Sequence, residues 1–190
     1  MVEATIEDKK LVVEILFRSF EDNMSVNYLI PHDSKRTLRL RELIAYSLEM
    51  CRLWGKVVIS ENRKACALVI FPDRKRTTLR SLLIMGRLIL KSIGFWNIRK
   101  ALSRENQVYA HHPRIPIYHL WFVGVLPEHQ GEGIGSKILE EIMKDAAEMG
   151  RPVYLETSTH KNIPWYQKHG FSIYGKIQLS YTLFLMRSDK

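Results

Sequence analysis

Residues Tyr118 to Ser136 read YHLWFVGVLPEHQGEGIGS and contain the most informative pattern in the sequence. Its first eight residues contain no Asp, Glu, Lys or Arg and are rich in aromatic and β-branched side chains, which is typical of a strand in the centre of a sheet. Apolar residues then recur with helical spacing from Ile134 to Ala146, so a helix follows. The sequence therefore predicts a strand, a turn and a helix in this order.

The turn between that strand and helix is rich in glycine. Gly131, Gly133 and Gly135 let the backbone turn sharply and approach a ligand without a Cβ in the way. The first N–H groups of a helix have no partner inside the helix and carry the positive end of its dipole, which suits a pyrophosphate. The GxGxxG and GxxxxGK[ST] patterns of nucleotide-binding proteins are both missing. We therefore interpret the turn as a phosphate-binding loop of another kind.

Two motifs carry a resemblance to a known family. Gln130, Gly133 and Gly135 form the pattern QxxGxG, which resembles the acyl-CoA-binding motif of the GNAT acetyltransferase superfamily. Downstream, Tyr166 stands four residues before Gly170-Phe171, as in that family's second signature. The chain is thus similar to GNAT N-acetyltransferases at both motifs, in the family's order.

Within the superfamily, the chain resembles the puromycin N-acetyltransferase branch. The likeness covers residues 117–175 and rests on Val123-Gly-Val-x-Pro-Glu-His-Gln-Gly-x-Gly-x-Gly-Ser136, Leu155-Glu-Thr-Ser158 and Asn162-x-Pro-x-Tyr166. One position departs from the superfamily, because Thr159 stands seven residues before the tyrosine, where Asn is common. The N-terminal half, where these enzymes select their acceptors, carries no such match.

The resemblance implies an α/β (α+β) GNAT fold. Its central sheet is mixed but mostly antiparallel, has about seven strands flanked by helices, and is splayed between the strands that end near Val125 and Thr157. The length of 190 residues suits one domain, so we expect a single GNAT domain over residues 1–190, with a basic helical insert at about residues 74–112.

Acetyl-CoA is the co-substrate that the resemblance implies. Backbone groups of Val123, Gly124 and Val125 would bind the pantetheine arm like an extra strand, and Asn162 is a further candidate contact to it. The pyrophosphate would lie on the loop, formed by Gln130, Gly131, Glu132, Gly133, Ile134, Gly135 and Ser136.

The reaction implied is direct attack of a neutral primary amine on the thioester. Only about one amine in a thousand is neutral at pH 7, so a general base would help. Glu156 and His119 are the candidate bases; Glu156 either faces a site at the open end of the sheet or is exposed on an edge. Tyr166 is the candidate acid for the departing thiolate, or else a core tyrosine that packs on Phe171.

We expect the acceptor to be a small-molecule amine. The alternative function is a non-catalytic acyl-CoA-binding sensor or regulatory module. Residues 23–32 either line the acceptor site or form a loop anchored by buried aromatic residues.

The segment from Arg74 to Arg104 contains nine Lys or Arg and no Asp or Glu. Its apolar run, 82–93, is shorter than the roughly twenty residues of a membrane span. Three interpretations remain: a helical insert on the substrate side, a basic amphipathic helix on a membrane surface, or a core helix with a solvated basic face. Nucleic-acid binding is not favoured despite the net charge of +9, because no reader motif is present.

The remaining patterns predict ordinary elements. We expect helices at 4–20, 34–54 and 162–168, and strands at 56–59, 65–71, 153–157, 171–177 and 181–186. The first ten residues are acidic and lack an apolar stretch, so we expect no signal peptide and a cytoplasmic location. Cys51 and Cys66 are expected to be reduced, no metal site is expected because the histidines lack ligand spacing, and a homodimer is left open.

Overall fold

A seven-stranded sheet organises residues 1–188, the part of the chain that the computed structural model describes. Its strands are β1 Val2–Glu3, β2 Gly55–Ile59, β3 Ala65–Ile70, β4 Tyr118–Val125, β5 Val153–Thr157, β6 Phe171–Gln178 and β7 Thr182–Ser188. The helices are α1 Lys9–Phe20, α2 Met24–Asn27, α3 Arg36–Trp54, α4 Leu79–Leu88, α5 Ile98–His111, α6 Ile134–Glu148 and α7 Ile163–Lys168. The strands lie in the order β1-β2-β3-β4-β5-β7-β6.

Helices cover both faces of the sheet. On one face, α1 and α3 pack against the strands through buried side chains such as Ile15, Ile44 and Leu48. On the other face, α6 packs through Leu139 and Ile142. Burial of each such side chain is worth about 1.5–3 kcal/mol, so these apolar stripes hold the layers together. The predicted α/β (α+β) architecture is confirmed.

The sheet opens between β4 and β5, its one parallel pair. These strands pair only at Tyr118 with Val153 and at His119 with Tyr154. β4 nevertheless continues to Val125 and β5 to Thr157. The predicted splay is therefore present, and we refer to the space between the two strands as the gap.

The basic segment at 74–112 forms a helical insert between β3 and β4. The Thr78 hydroxyl caps α4, which runs into a π-helical turn at Ile89–Ile93. Gly94, with φ of +71°, then lets the chain bend into α5, and the two helical arms meet at 105°. Arg39 of α3 donates a hydrogen bond to the Ser92 carbonyl at 2.9 Å, and Ser92 Oγ donates to the Arg39 carbonyl at 2.8 Å. These bonds fasten the insert to α3.

The start of the first helix differs from the sequence-based expectation. The first helix begins at Lys9 rather than at residue 4, because Thr5 bonds to the Asp8 carboxylate through its N–H and hydroxyl and so forms a turn before the helix. The last two strands form the predicted hairpin, and β7 lies between β5 and β6 in the sheet.

Candidate functional site

The glycine loop begins helix α6 in the way that an anion-binding turn requires. Gly131 and Gly133 have φ of +87° and +79°, which side-chain-bearing residues rarely adopt. No atom lies within 4 Å of a Cβ placed on either residue, so the space above the loop is open. Trp165 donates to Ser136 Oγ at 3.0 Å and thereby fixes α7 against the first turn of α6. The Glu132 carboxylate turns to His129, 3.0 Å away, so Glu132 offers its backbone to a ligand.

The edge of β4 faces the gap with its polar backbone groups. The Leu126 N–H donates to the Lys64 carbonyl, so the alternation of an antiparallel ladder turns the N–H and C=O groups of Val123 and Val125 away from β3. The Val125 carbonyl accepts from Ser19 Oγ at 2.9 Å and from Gln130 Nε2 at 3.2 Å. Gln130 thus braces the end of β4, and Val123 keeps its groups directed toward the gap.

Gly124 serves a purpose that sequence reasoning missed. A Cβ there would lie 2.8 Å from Ser19 Oγ and 2.9 Å from Leu16 Cδ2, so its absence lets α1 pack closely on β4. Gly124 still pairs with Cys66 of β3, so it does not end the pairing on that side. A bulge at Trp121, the extra residue between the Leu68–Phe122 and Val69–Leu120 pairs, re-aims the β4 side chains beside the gap.

A cavity of about 550 Å³ runs from the gap to a region beneath the insert. Its walls come from both faces of the sheet: Tyr166 belongs to the core on the α6 side, and Leu43 to the core on the α3 side. The insert contributes Met85, Leu88 and Ile89. The structure therefore brings the predicted residues Val123, Glu156, Asn162 and Tyr166 to one cavity, and the insert lies on its far side.

Tyr166 lies on α7 with its ring buried. The ring packs on Trp165 and Phe171, with centroid distances of 4.7 and 5.7 Å. Burial raises the pKa of the Tyr166 phenol above its usual value, so the hydroxyl keeps its proton at neutral pH. No residue among 1–188 hydrogen-bonds to this hydroxyl, which leaves it free to donate to a bound ligand.

Glu156 lies on β5 between two histidines. Its Oε2 is 2.8 Å from His119 Nε2, and its Oε1 is 3.1 Å from His112 Nε2. All three side chains are at most 7% exposed. Burial alone raises the pKa of Glu156, but the charge of His119 and the hydrogen bonds from both imidazoles outweigh it and hold that pKa below its usual range. Glu156 therefore stays ionised, and the sequence did not single out His112 as its second partner.

The same three residues could hold a metal ion, because one ligand atom from each lies within 4.8 Å of the others. Zn²⁺ takes such imidazole and carboxylate ligands at about 2.0–2.2 Å. Both carboxylate oxygens are already engaged by imidazole nitrogens, whereas Nδ1 of His112 and of His119 is buried without a partner. The arrangement as it stands is a hydrogen-bonded triad, and the expectation that no metal binds stays a prediction.

A second polar cluster lies in the cavity under the insert. Lys75 contacts the Tyr109 hydroxyl, and its Nζ lies 5.8 Å from the Trp121 ring centroid. Burial lowers the pKa of Lys75, while burial and the charge of Glu105 raise the pKa of Tyr46 to about 12. Glu105 Oε2 is buried and has no hydrogen-bond partner among the described residues. No sequence pattern predicted this cluster, since its members come from α3, α5 and the loop after β3.

Several other residues that the sequence analysis singled out lie at the cavity or next to it. Asn162 lines the cavity, as do Asn23, Ser25 and Leu29 from the segment 23–32 that sequence analysis left open. Thr159, where the superfamily often has Asn, receives a 3.4 Å hydrogen bond from Asn23 Nδ2.

Comparison with known proteins agrees with this geometry. Residues 86–173 match the family described as acetyltransferase (GNAT) domain. The matched segment, just under half of the chain, is similar to GNAT acetyltransferase domains. The match includes both motifs that carry the resemblance, and it supports an acyltransferase of the GNAT superfamily. A stretch of 108 residues is 31% identical to an uncharacterized N-acetyltransferase of Schizosaccharomyces pombe and covers 48% of this chain and 43% of that protein. The match thus spans less than half the length of this curated relative.

Solved structures show the same GNAT fold over nearly the whole chain. A protein of Corynebacterium glutamicum named histone acetyltransferase HPA2 and related acetyltransferase has a TM-score of 0.69 at 21% identity, covering 98% of this chain and 93% of its own. Arylalkylamine N-acetyltransferase 2 of Aedes aegypti has a TM-score of 0.64 at 16% identity, covering 98% and 96%. At such identities the likeness concerns the fold.

Proposed function

We propose that this protein transfers the acetyl group of acetyl-CoA directly to a primary amine of a small molecule. The observation that carries the proposal is that one cavity reaches the gap and has both Tyr166 and Glu156 on its wall. Acetyl-CoA would enter along the edge of β4, with its pyrophosphate on the N–H groups of Gly131 to Ser136 and its pantetheine beside Val123 and Asn162. The thioester would then reach the cavity at the gap.

The chemistry needs two proton movements. The amine nitrogen attacks the thioester carbon, the C–S bond breaks, and the amine proton passes to the triad through Glu156, the member that lines the cavity. His119 and His112 behind it hold that carboxylate ionised and in place. The Tyr166 hydroxyl donates its proton to the leaving CoA thiolate and later regains one from solvent. Holding the two substrates together supplies the rest of the acceleration.

The cavity favours a small apolar amine. Its volume lies in the usual range for small-ligand sites, about 300–1,000 Å³. Leu43, Met50, Leu88 and Ile93 give it apolar walls, and Glu105 supplies a carboxylate at the insert end. Apolar walls favour an alkyl or aryl chain over a polyamine, because each charge on a polyamine would lose its hydration.

The test is release of free thiol from acetyl-CoA across a panel of acceptors. Phenethylamine and octylamine should turn over, spermidine and a lysine-containing peptide should react more slowly, and phenethyl alcohol should not react. If no acceptor turns over while acetyl-CoA binds by calorimetry, the protein is the non-catalytic sensor instead.

The proposal has four further parts. The motif from Val123 to Ser136 supports the puromycin N-acetyltransferase-like branch. We also propose that the protein acts as a single domain, is located in the cytoplasm and uses no metal cofactor. A homodimer is compatible with the proposal and is not needed to complete the site, because all the proposed residues lie on one chain.

A further inference from the structure

The insert presents an apolar surface to solvent. On the α4 arm, positions 79, 82, 83 and 90 share one helix face. Leu79 is 76% exposed and Trp96 is 98% exposed, far above what a core side chain shows. We call this surface the insert face; its members are Leu79, Leu82, Leu83, Leu90, Phe95, Trp96 and Leu102. Contiguous exposed apolar side chains of this kind mark interaction sites.

The rim of the insert face is basic. Arg80 and Arg87 pair with Glu49 and Glu42 of α3, so these two arginines hold the insert against the body of the protein. Arg76, Lys91 and Arg99 are exposed, and no carboxylate within residues 1–188 pairs with them. The insert has no acidic residue from Arg74 to Arg104, and Glu105, the one acidic residue in 74–112, lines the cavity, so the exposed rim is positively charged.

The bend of the insert places its aromatic residues at a corner. Phe95 and Trp96 directly follow Gly94, where the two arms meet at 105°. From this corner the apolar surface continues onto α5, since Phe95, Ile98 and Leu102 line one groove. Tryptophan is enriched at membrane–water interfaces, where its ring meets the headgroups.

We infer that the insert face binds an anionic membrane surface and lies in the headgroup region. No single helix in the described part of the chain is long and apolar enough to span a bilayer; only the bent pair Leu79–Ile93 and Phe95–His111 passes that test together. An amphipathic segment with a basic rim lies in the plane of an interface. Contact with a second copy is less favourable, because a two-fold contact sets the same basic rim against itself. Anionic lipids complement this charge.

Co-sedimentation with vesicles tests the inference on the whole protein. It should sediment with phosphatidylcholine vesicles that contain phosphatidylglycerol, much less with phosphatidylcholine alone, and it should be released at about 1 M salt, where charge attraction is screened. The fluorescence of Trp96 should shift to shorter wavelength when the protein binds vesicles. A Trp96→Phe variant should still bind, but the shift that Trp96 contributes should be absent.

Two pairs of variants provide matched controls. Loss of three apolar side chains of the insert face should reduce vesicle binding at least about tenfold, whereas loss of three exposed apolar side chains elsewhere should not. The test variant is Leu83→Ser/Leu90→Ser/Trp96→Ser, and the control is Ile6→Ser/Leu38→Ser/Ile115→Ser. The charge variant is Arg76→Gln/Lys91→Gln/Arg99→Gln, and its control is Lys10→Gln/Lys35→Gln/Lys144→Gln.

Because all these positions are exposed, unchanged melting temperatures will show that the variants fold. Absence of vesicle binding, or equal binding by test and control variants, overturns the inference. So does a concentration-dependent dimer in analytical ultracentrifugation that the apolar test variant abolishes, since a second copy would then occupy the face.

Discussion

Replacement of Tyr166 by Phe separates catalysis from packing. The change deletes one hydroxyl and keeps the ring that packs on Trp165 and Phe171. Since no described residue hydrogen-bonds to this hydroxyl, its loss leaves no buried partner unsatisfied. We therefore expect the free energy of unfolding to change by less than about 0.5 kcal/mol.

Turnover should fall much further than stability. A general acid contributes a rate factor of about ten to a thousand here, which is about 1.4–4 kcal/mol of activation free energy. Because burial raises the pKa of Tyr166, the phenol is fully protonated when the thiolate leaves, so the whole contribution is lost in the Phe variant. A group used only in the transition state should leave acetyl-CoA affinity unchanged.

The assay is thiol release with the best amine of the panel, combined with calorimetry of acetyl-CoA binding. Tyr174→Phe is the matched control, because burial also raises the pKa of the Tyr174 phenol, yet Tyr174 does not line the cavity. Wild-type turnover by Tyr166→Phe would refute the reasoning. Reduced affinity with intact turnover would show that the hydroxyl holds the cofactor instead.

Three further predictions concern the loop, the triad and pH. Gly133→Val should raise the Michaelis constant for acetyl-CoA at least about tenfold, because a β-branched residue at φ +79° shifts the N–H groups of the loop. Gly150→Val, at φ +63° beyond the other end of α6, is the control and should leave this constant unchanged. If Gly133→Val binds acetyl-CoA with unchanged affinity by calorimetry, the pyrophosphate does not bind at this loop. Glu156→Gln should lower turnover about a hundredfold and stability by about 1–3 kcal/mol, because two buried imidazoles lose a charged acceptor. Because folding lowers the pKa of Glu156, the wild type should be more stable than Glu156→Gln above about pH 4.3, and this difference should shrink as the pH falls below that value. Equal melting temperatures of the two proteins at pH 7 would contradict this prediction. Because the pKa of Tyr166 is raised, turnover should show no alkaline decline below about pH 10 in a pH–rate profile, and a decline near pH 8 would exclude Tyr166 as the acid.

The helix and strands around the glycine loop could be predicted from local sequence. Strand β5 occupies Val153–Thr157 as predicted, and α6 begins at Ile134, directly after the glycines. Such elements are readable because apolar period and glycine placement are local properties. Helix starts are harder to predict from local sequence. Thr5 donates hydrogen bonds to the Asp8 carboxylate in a turn, and α1 therefore begins only at Lys9.

The backbone of the proposed cofactor loop could thus be predicted from the sequence, because Gly133 and its neighbours favour a conformation that other residues rarely adopt. The cavity proposed for the acceptor, in contrast, depends on tertiary contacts. The gap exists because the pairing of β5 with β4 stops at Tyr154 while its pairing with β7 continues to Thr157, an arrangement of distant segments that no local pattern encodes. His112 and Glu156 are 44 positions apart in sequence, and they are in contact only because the insert folds back over the sheet. Contacts of this kind depend on how helices pack across the sheet, and that packing is a property of the whole chain.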